Sequence, residues 1–329
     1  MIDVAVVGLG WWGQNIVRQL HASDRMRVVL GVDPDAGCRD RAAAGGLETT
    51  GDLAEALSRN DIRAVVLCSP HRFHSAQIVA AAEAGKHVFC EKPFSASVAD
   101  ADVALAAAAS AGVQLGIGHE RRFEPAVVEL QERCRSGGLG TPLVFEGNFS
   151  QDKFLTLAPD NWRLSPVEAP VGPLSATGIH LVDLAISILG APTQVWARLS
   201  TRATAFGNGD TLSVTLGFAD GGTAVITAIL TTPFIGRVCV LGSQGWTEIR
   251  DRNHPEDPQG WDVTTVTRGA EPQVRFFPPH PAVRDNLEQF AGAVEGTGRY
   301  PVSVDDIRTN VRAFEAITRS ARSGAIEPV

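Results

Sequence analysis

"DVAVVGLGWWGQNIVRQL", residues 3–20, and "RVVLGVD", residues 27–33, decide how the chain begins to fold. The run Asp3 to Gly8 is β-branched and apolar, which predicts a strand buried on both faces. Gly8, Gly10 and Gly13 follow at once, and then Ile16, Val17 and Leu20 recur at helical spacing. A second apolar run ends at Asp33, twenty positions after Gly13. GxGxxG alone is a weak signal, but here strand, glycine turn, helix, second strand and terminal acid stand in the order a dinucleotide site requires.

Each glycine then has a purpose. Gly8 permits the tight turn, Gly10 lets a pyrophosphate approach the backbone, and Gly13 lets the helix pack close to the sheet. The first N–H groups of that helix bind the phosphates, so local dipoles serve an anion in a chain of net charge −8. Trp11 and Trp12 fill the last two variable positions of the turn. Their N–H groups are needed there and their side chains are not, so the indoles either point towards a ligand or bury area between domains. Asp33 accepts from the adenosine ribose hydroxyls and repels a 2′-phosphate, which favours NAD over NADP. Arg39 and Arg41, just downstream, soften that repulsion.

Strands and helices go on alternating. "AVVLCS" (64–69), "HVFCEKP" (87–93) and "VQLGIGH" (113–119) read as further strands. The intervening segments read as helices, with Asp52 and Ser97 as N-caps and Gly85 and Gly112 as stops. This predicts an α/β Rossmann domain, a doubly wound parallel sheet, over residues 1–120. From about residue 143 the pattern changes to period-two alternation with Gly, Asn and Asp turns, as in "DTLSVTLGFADGGTAVITAIL" (210–230). Residues 121–329 are therefore expected to form an α+β domain for substrate and oligomerisation. Its large, mostly antiparallel open-faced sheet packs one face on the helix after His180 and on a helix near Val304 to Arg322. The other face calls for a second subunit, hence a homodimer or homotetramer.

The 329 residues are 44% apolar and 20% charged, ordinary for a soluble globular protein. No basic stripe with interleaved aromatics suggests nucleic acid. No run approaches the roughly 20 apolar residues of a spanning helix, and the start shows no signal-peptide pattern. Five cysteines without a CxxC pair point away from zinc and disulfides and towards the cytoplasm. With no HExxH or HxxxH spacing, no catalytic metal is expected.

"SPHRFHSAQIVAAAEAGKHVFCEKPF" (69–94), "GIGHERRFEP" (116–125), "NWRLSP" (161–166) and "GPLSATGIHLVDL" (172–184) together resemble the Gfo/Idh/MocA family, the glucose–fructose oxidoreductase and inositol dehydrogenase group. The resemblance implies an NAD(P)-dependent oxidoreductase that moves a hydride between a carbinol carbon of a sugar, cyclitol or related compound and nicotinamide. It gives Lys92 of Glu91-Lys92-Pro93 the place of the catalytic lysine and His180 that of the catalytic histidine. It sets His74 near the nicotinamide ribose, and Ser69, Pro70, His71 and Glu91 along the cofactor edge. His71 serves equally well as a helix cap. Arg163 is placed on the nicotinamide side with Trp162 packed beside it, and Trp12 near the nicotinamide end. Many relatives carry an Asp four residues before the histidine; here that position is Ala176.

The chemistry agrees with these assignments. Alcohol oxidation needs a base for the hydroxyl proton. Lys92 ends the fifth strand, at the carboxyl edge where open α/β sheets bind ligands. His180 falls in the first turn of a helix, and Asp183 three residues on can orient its imidazole. Arg121 and Arg122 either line a cleft and bind substrate hydroxyls or a carboxylate, or pair with Glu120 and Glu124. The leading reading is an NAD-dependent dehydrogenase of a small polyhydroxy alcohol. A glycosidase or epimerase working through transient oxidation and a non-catalytic NAD-binding regulator are the alternatives, the last motivated by Ala176.

Overall fold

The N-terminal apolar run forms β1 (Ile2–Val7), followed by α1 (Trp11–Leu20), β2 (Met26–Val32), α2 (Ala36–Ala44), β3 (Thr49–Thr50), α3 (Leu53–Ser58), β4 (Ala64–Leu67), α4 (His74–Glu83), β5 (His87–Cys90), α5 (Val98–Ala111) and β6 (Leu115–Ile117). The structure, a computed structural model, describes residues 1–329. The six strands pair in parallel in the order β3-β2-β1-β4-β5-β6. Strand order reverses between β1 and β4, and ligands of open α/β sheets bind at that point. The expected caps are present: Asp52 accepts from Ala54 N–H, Ser97 accepts from Asp100 N–H, and Gly112 closes α5 in the left-handed conformation. Helix α2 has no buried residue, so it shows no apolar face for periodicity to reveal; Asp35 caps it through Cys38 N–H.

The second sheet follows α6 (Pro125–Arg135). It comprises β7 (Pro142–Ser150), then, after α7 (Ile179–Leu189), β8 (Pro192–Ser200), β9 (Thr211–Phe218), β10 (Thr223–Ile229), β11 (Ile235–Gly242), β12 (Gly245–Asp251), β13 (Trp261–Thr267) and β14 (Gln273–Phe277). All its pairs are antiparallel except β10 with β7. The turn Ala219–Gly222 closes the β9–β10 hairpin with Gly221 at φ +90°. Inward side chains such as Phe145, Val214, Ile226 and Val240 pack with Leu181, Leu184 and Ala185 of α7 in one core. The opposite face leaves Trp196 and Val225 partly exposed, and it carries the Arg237 ion pairs with Glu146 and Glu248.

After β14 the chain forms α8 (Ala282–Val294), α9 (Val304–Ser323) and the short β15 (Glu327–Pro328), which pairs with β8. Phe314 and Ile317 of α9 enter the core of the second sheet, as the expectation of a C-terminal helix there required. Two compact units result: Met1–Glu120 with Pro281–Arg308, and Arg121–His280 with Thr309–Val329. This corrects the expectation that everything after residue 120 forms the second domain, because 281–308 returns to the first. Helix α8 packs on α1, β2, β5 and β6, and the Phe290 ring lies 5.7 Å from that of Phe89.

The returning segment also finishes an open sheet edge. β6 is the last strand of its sheet, so its outer backbone groups have no strand partner. Tyr300 Oη accepts from Ile117 N–H at 3.1 Å, and Asn286 Nδ2 donates to Ile117 O at 2.9 Å. The Tyr300 hydroxyl in turn donates to Asn286 Oδ1 at 2.6 Å. Tyr300→Phe removes the acceptor of a buried N–H and should cost about 1–3 kcal/mol. Urea unfolding of wild type and variant checks this; an unshifted midpoint would show that the edge needs no closure.

Candidate active site

The glycine turn is held by close approach. Gly8 has φ +92°, and a Cβ there would lie 2.7 Å from the Cys68 carbonyl carbon. A Cβ on Gly13 would overlap the Gly8 carbonyl oxygen, while one on Gly10 would meet nothing within 4 Å. Helix α1 thus starts against β1 and β4 with open space over its first residue. Its N-terminus has no side-chain cap and no acid in the first turn. An uncapped helix end with room beside it fits a pyrophosphate. Asp33 is buried and accepts from Leu9 N–H through Oδ2 at 2.7 Å and from Asp35 N–H through Oδ1 at 2.9 Å. The carboxylate is therefore aimed beside the turn, as a ribose-binding acid must be. Arg39 is tied back to the carbonyls of Asp33 and Pro34, and Arg41 donates to Cys38 Sγ.

Glu91, half-buried Lys92 and Pro93 follow β5, with a cis peptide between Lys92 and Pro93. Burial pushes the Glu91 carboxyl up to about 7, although the Trp12 indole and the Lys92 charge both act to lower it. The indole N–H itself falls outside hydrogen-bonding geometry. Trp12 therefore packs on the EKP turn, while Trp11, its ring 5.7 Å away, is half exposed. Glycine is required at 118 because a Cβ there would overlap the Glu91 carboxylate.

His74 differs from expectation. It is completely buried, with Nδ1 2.9 Å from Pro93 O and Nε2 2.9 Å from Ser69 O, and burial lowers its pKa. It is a clamp between the loops after β4 and β5, with both ring nitrogens engaged by backbone carbonyls. Ser69 Oγ donates to Gln77, and His71 sits in a short 3-10 turn with its ring 5.9 Å from that of His74. Lys86 of the AGKHV stretch is structural, donating to Arg59 O and Ile62 O.

In the second unit, the approach to His180 is irregular. Val171 has φ +52°, a left-handed conformation that costs a β-branched residue energy. A single π-helical turn, Leu174–Gly178, then feeds α7. Such turns recur at functional sites. Buried Asn208 braces this stretch: its Nδ2 donates to Arg163 O at 2.7 Å and Ala169 O at 2.8 Å, and its backbone O accepts from Gly172 N–H. Asn208 thereby holds the loop carrying Trp162 and Arg163. The Arg163 guanidinium lies 4.4 Å from the Trp162 ring centroid, and burial lowers its pKa to about 10. His180 is buried with its ring 5.8 Å from Phe149; Phe234 and His254 complete an aromatic group around that phenyl ring.

The arginines are committed to carboxylates. Arg122 makes a two-pronged pair with Asp183, at 2.7 Å to each oxygen. Both oxygens of Asp183, expected to orient His180, are thus engaged by a guanidinium. Arg121 is fully buried between Glu124 and Asp251, the latter at 2.7 Å, and lies 5.3 Å from the Phe149 ring centroid. Burial raises both carboxyl pKa values, that of Glu124 to about 7. Of the two expected arrangements, Arg121 takes the ion pair with Glu124, and Arg122 pairs with Asp183. Sequence reasoning also missed Phe149, Asn208, Asp251 and His254. Only Phe149 carries a local signal, as an inward position of an alternating strand.

Glu91 has a pH signature. The native state keeps a proton up to about pH 7, whereas the unfolded chain releases it near the ordinary value of 4.5. The native state binds more protons across that window, so this group's contribution to stability falls as pH rises through it. Glu91→Gln keeps the neutral form. The variant should match wild type near pH 4 and exceed it at pH 8 by about 1 kcal/mol or more in urea unfolding. A variant no more stable at pH 8 would refute the uncompensated burial of this carboxyl.

Comparison with known proteins agrees with this architecture. The NAD-binding Rossmann domain of the Gfo/Idh/MocA oxidoreductase family matches residues 2–119, and that family's C-terminal domain matches residues 127–248. The uncharacterized oxidoreductase YrbE of Bacillus subtilis is 32% identical over 232 residues, covering 68% of this chain and 66% of YrbE. For two further curated relatives the chain spans 43% and 44% of their length. The scyllo-inositol 2-dehydrogenase (NAD⁺) of B. subtilis is 28% identical and covers 98% of this chain and 95% of its own. The aldose-aldose oxidoreductase of Caulobacter crescentus, solved with glycerol, superposes with a TM-score of 0.88 at 26% identity, covering 100% of this chain and 99% of its own. No helix here is long and apolar enough to cross a membrane. With its glycine turn, its EKP turn and its π-turn before His180, this chain belongs to the Gfo/Idh/MocA oxidoreductase family.

Proposed function

We propose that the chain is an NAD-dependent oxidoreductase acting on a secondary alcohol of a sugar, cyclitol or related polyhydroxy compound. The observation that carries this reading is the arrangement along the carboxyl edge of the first sheet. There an uncapped α1 N-terminus, the braced carboxylate of Asp33 and the lysine of the EKP turn follow β1, β2 and β5. A family relative named as an NAD⁺-dependent inositol dehydrogenase supports the substrate class.

When bound, the nicotinamide supplies the hydride acceptor. The backbone N–H groups of α1 hold the phosphates, and Asp33 holds the ribose hydroxyls. Lys92 Nζ takes the hydroxyl proton as the alcohol is oxidised and returns it on reduction. Buried Glu91, beside it, fixes the turn that presents it. His180, its ring seated on Phe149, is the second unit's candidate for assisting the proton transfer.

Lys92→Ala should lower turnover by about a hundredfold or more, the usual size of an acid–base contribution. Its NAD affinity should stay close to wild type, and Lys92→Arg should not rescue, because arginine keeps its proton. Steady-state NADH formation over a panel of sugars, cyclitols and sugar acids provides the assay. Normal turnover by Lys92→Ala would end the assignment.

The preference for NAD rests on Asp33. Calorimetry should show NAD⁺ binding more tightly than NADP⁺, with Asp33→Ser narrowing the gap. Equal affinities in wild type would reverse the cofactor reading.

A further inference from the structure

The second unit buries two carboxyl groups against one guanidinium. Arg121, in the 3-10 turn Glu120–Phe123, is 1% exposed, and the side chains of Glu124 and Asp251 are each 2% exposed. Arg121 Nη2 donates to Asp251 Oδ1 at 2.8 Å and to Oδ2 at 2.7 Å. Its contacts with Glu124 are longer, 3.2 Å from Nε to Oε1 and 3.2 Å from Nη2 to Oε2. One nitrogen therefore serves both acids, and Asp251 is the more tightly held. A Cβ on Gly236 would overlap the Asp251 carboxylate, so the backbone of β11 also encloses this acid.

Neighbouring cations are engaged elsewhere. Arg122 pairs with Asp183, Arg250 donates to Glu248, and Arg252 donates to Asp262. His119 and Glu120, just ahead of Arg121 in the chain, are buried as well. The Phe149 ring centroid lies 5.3 Å from the Arg121 guanidinium, and the titratable rings against that phenyl are His180 and His254. Two weaker influences favour the ionised acids. Trp261, at the start of β13, hydrogen-bonds to both carboxyls. Glu124 occupies the N-cap position of α6, without a capping bond, where the helix dipole favours negative charge.

The charge count decides between the protonation states. With both acids ionised the group carries one net negative charge out of water, which is strongly unfavourable. One guanidinium balances one carboxylate, so neutrality requires a proton on the other. Burial is the largest influence on both acids and pushes both up, Glu124 to about 7, and the Asp251 charge adds to the rise at Glu124. The shorter bonds of Asp251 to Arg121 place the proton mainly on Glu124.

We propose that Glu124 and Asp251 share one proton in the folded chain near neutral pH, and that its release to solvent is a pH-sensitive switch of the second unit. Release leaves a net negative charge where the start of α6, the end of β12 and the start of β13 are tied together. The unfolded chain gives up this proton near the ordinary value of 4.5, whereas the folded chain keeps it up to about 7. The native state thus binds more protons in that window. The contribution to stability is full at acid pH and is lost as pH rises to about 7. The switch is independent of the reaction assigned above.

Infrared spectroscopy of the full chain detects a protonated carboxyl by its C=O stretch. Glu91 supplies one such group, so Glu91→Gln is the reference protein and every further change is made in it. At about pH 6 the reference should still show a carboxylic acid band, which fades as pH is raised above about 7. Adding Glu124→Gln should abolish the band, and so should adding Asp251→Asn, because either change leaves Arg121 facing a single carboxylate. Each should also remove about one proton from the uptake on folding, read from the pH dependence of urea unfolding. Asp251→Ser replaces Asp251→Asn if the amide prevents folding.

A band that survives loss of the Asp251 carboxyl and disappears only with Glu124→Gln would mean that burial alone protonates Glu124, and the shared proton is refuted. An absent band in the reference protein at about pH 6 refutes it equally. So does an unfolding profile with the same pH dependence in the reference and in both further variants.

Discussion

The first unit depends on two backbones being allowed to touch. At Gly8 and Gly13 there is no room for a Cβ, so the loop after β1 lies directly on the loop after β4, and α1 starts against both. That contact fixes three further features. It points the α1 N-terminus into open space at the reversal of strand order. It sets Leu9 N–H on Asp33, which orients the acid at the end of β2. It also places Trp12, the second residue of the helix, over Glu91 and so over the turn that carries Lys92. The two bulky side chains in a glycine turn thus have separate situations: one indole packs on the EKP turn and the other is half exposed.

The second unit solves a different problem, the burial of charge. Arg122 with Asp183, and Arg121 with Glu124 and Asp251, lie almost wholly out of water. Buried ion pairs seldom outperform well-packed apolar side chains in stability, yet removing one partner is severe because it strands a charge. What such pairs do well is fix geometry. Arg122 joins the 3-10 turn after β6 to α7, and Arg121 joins α6 to the end of β12 while lying against Phe149. Phe149 in turn seats His180. Asp183 thus ties α7 to the turn that carries Arg122, and a substitution there strands a buried guanidinium.

Legibility followed the range of the interactions. The glycine turn, the caps at Asp52 and Ser97, the left-handed stop at Gly112 and the β9–β10 hairpin are all decided within a few residues, and all could be read directly. Alternation located the second sheet because it is one-sided over a core. Helix α2 was missed because it buries nothing, and Trp261–Phe277 because its strands follow a polar, proline-containing loop without a sharp turn signal. The return of residues 281–308 to the first unit rests on Tyr300 meeting Ile117 across 183 positions of chain. The pairing of Arg121 with Asp251 spans 130. No local pattern encodes either. The clamping role of His74 was hidden for another reason: a histidine at the edge of a ligand site and one clamping two carbonyls have the same sequence context.

This difference in range explains why the two units are not equally transparent. The glycine turn of the first unit is built from backbone: helix N–H groups, glycines that expose them, and one acid at a strand end. Backbone geometry repeats wherever the motif repeats, so a short pattern conveys it. The surroundings of His180 in the second unit are built from side chains on β7, the π-helical turn and the 161–172 loop braced by Asn208. Each of these can change without altering a strand. A short pattern therefore conveys the glycine turn of the first unit, whereas the surroundings of His180 are legible only once the chain is folded.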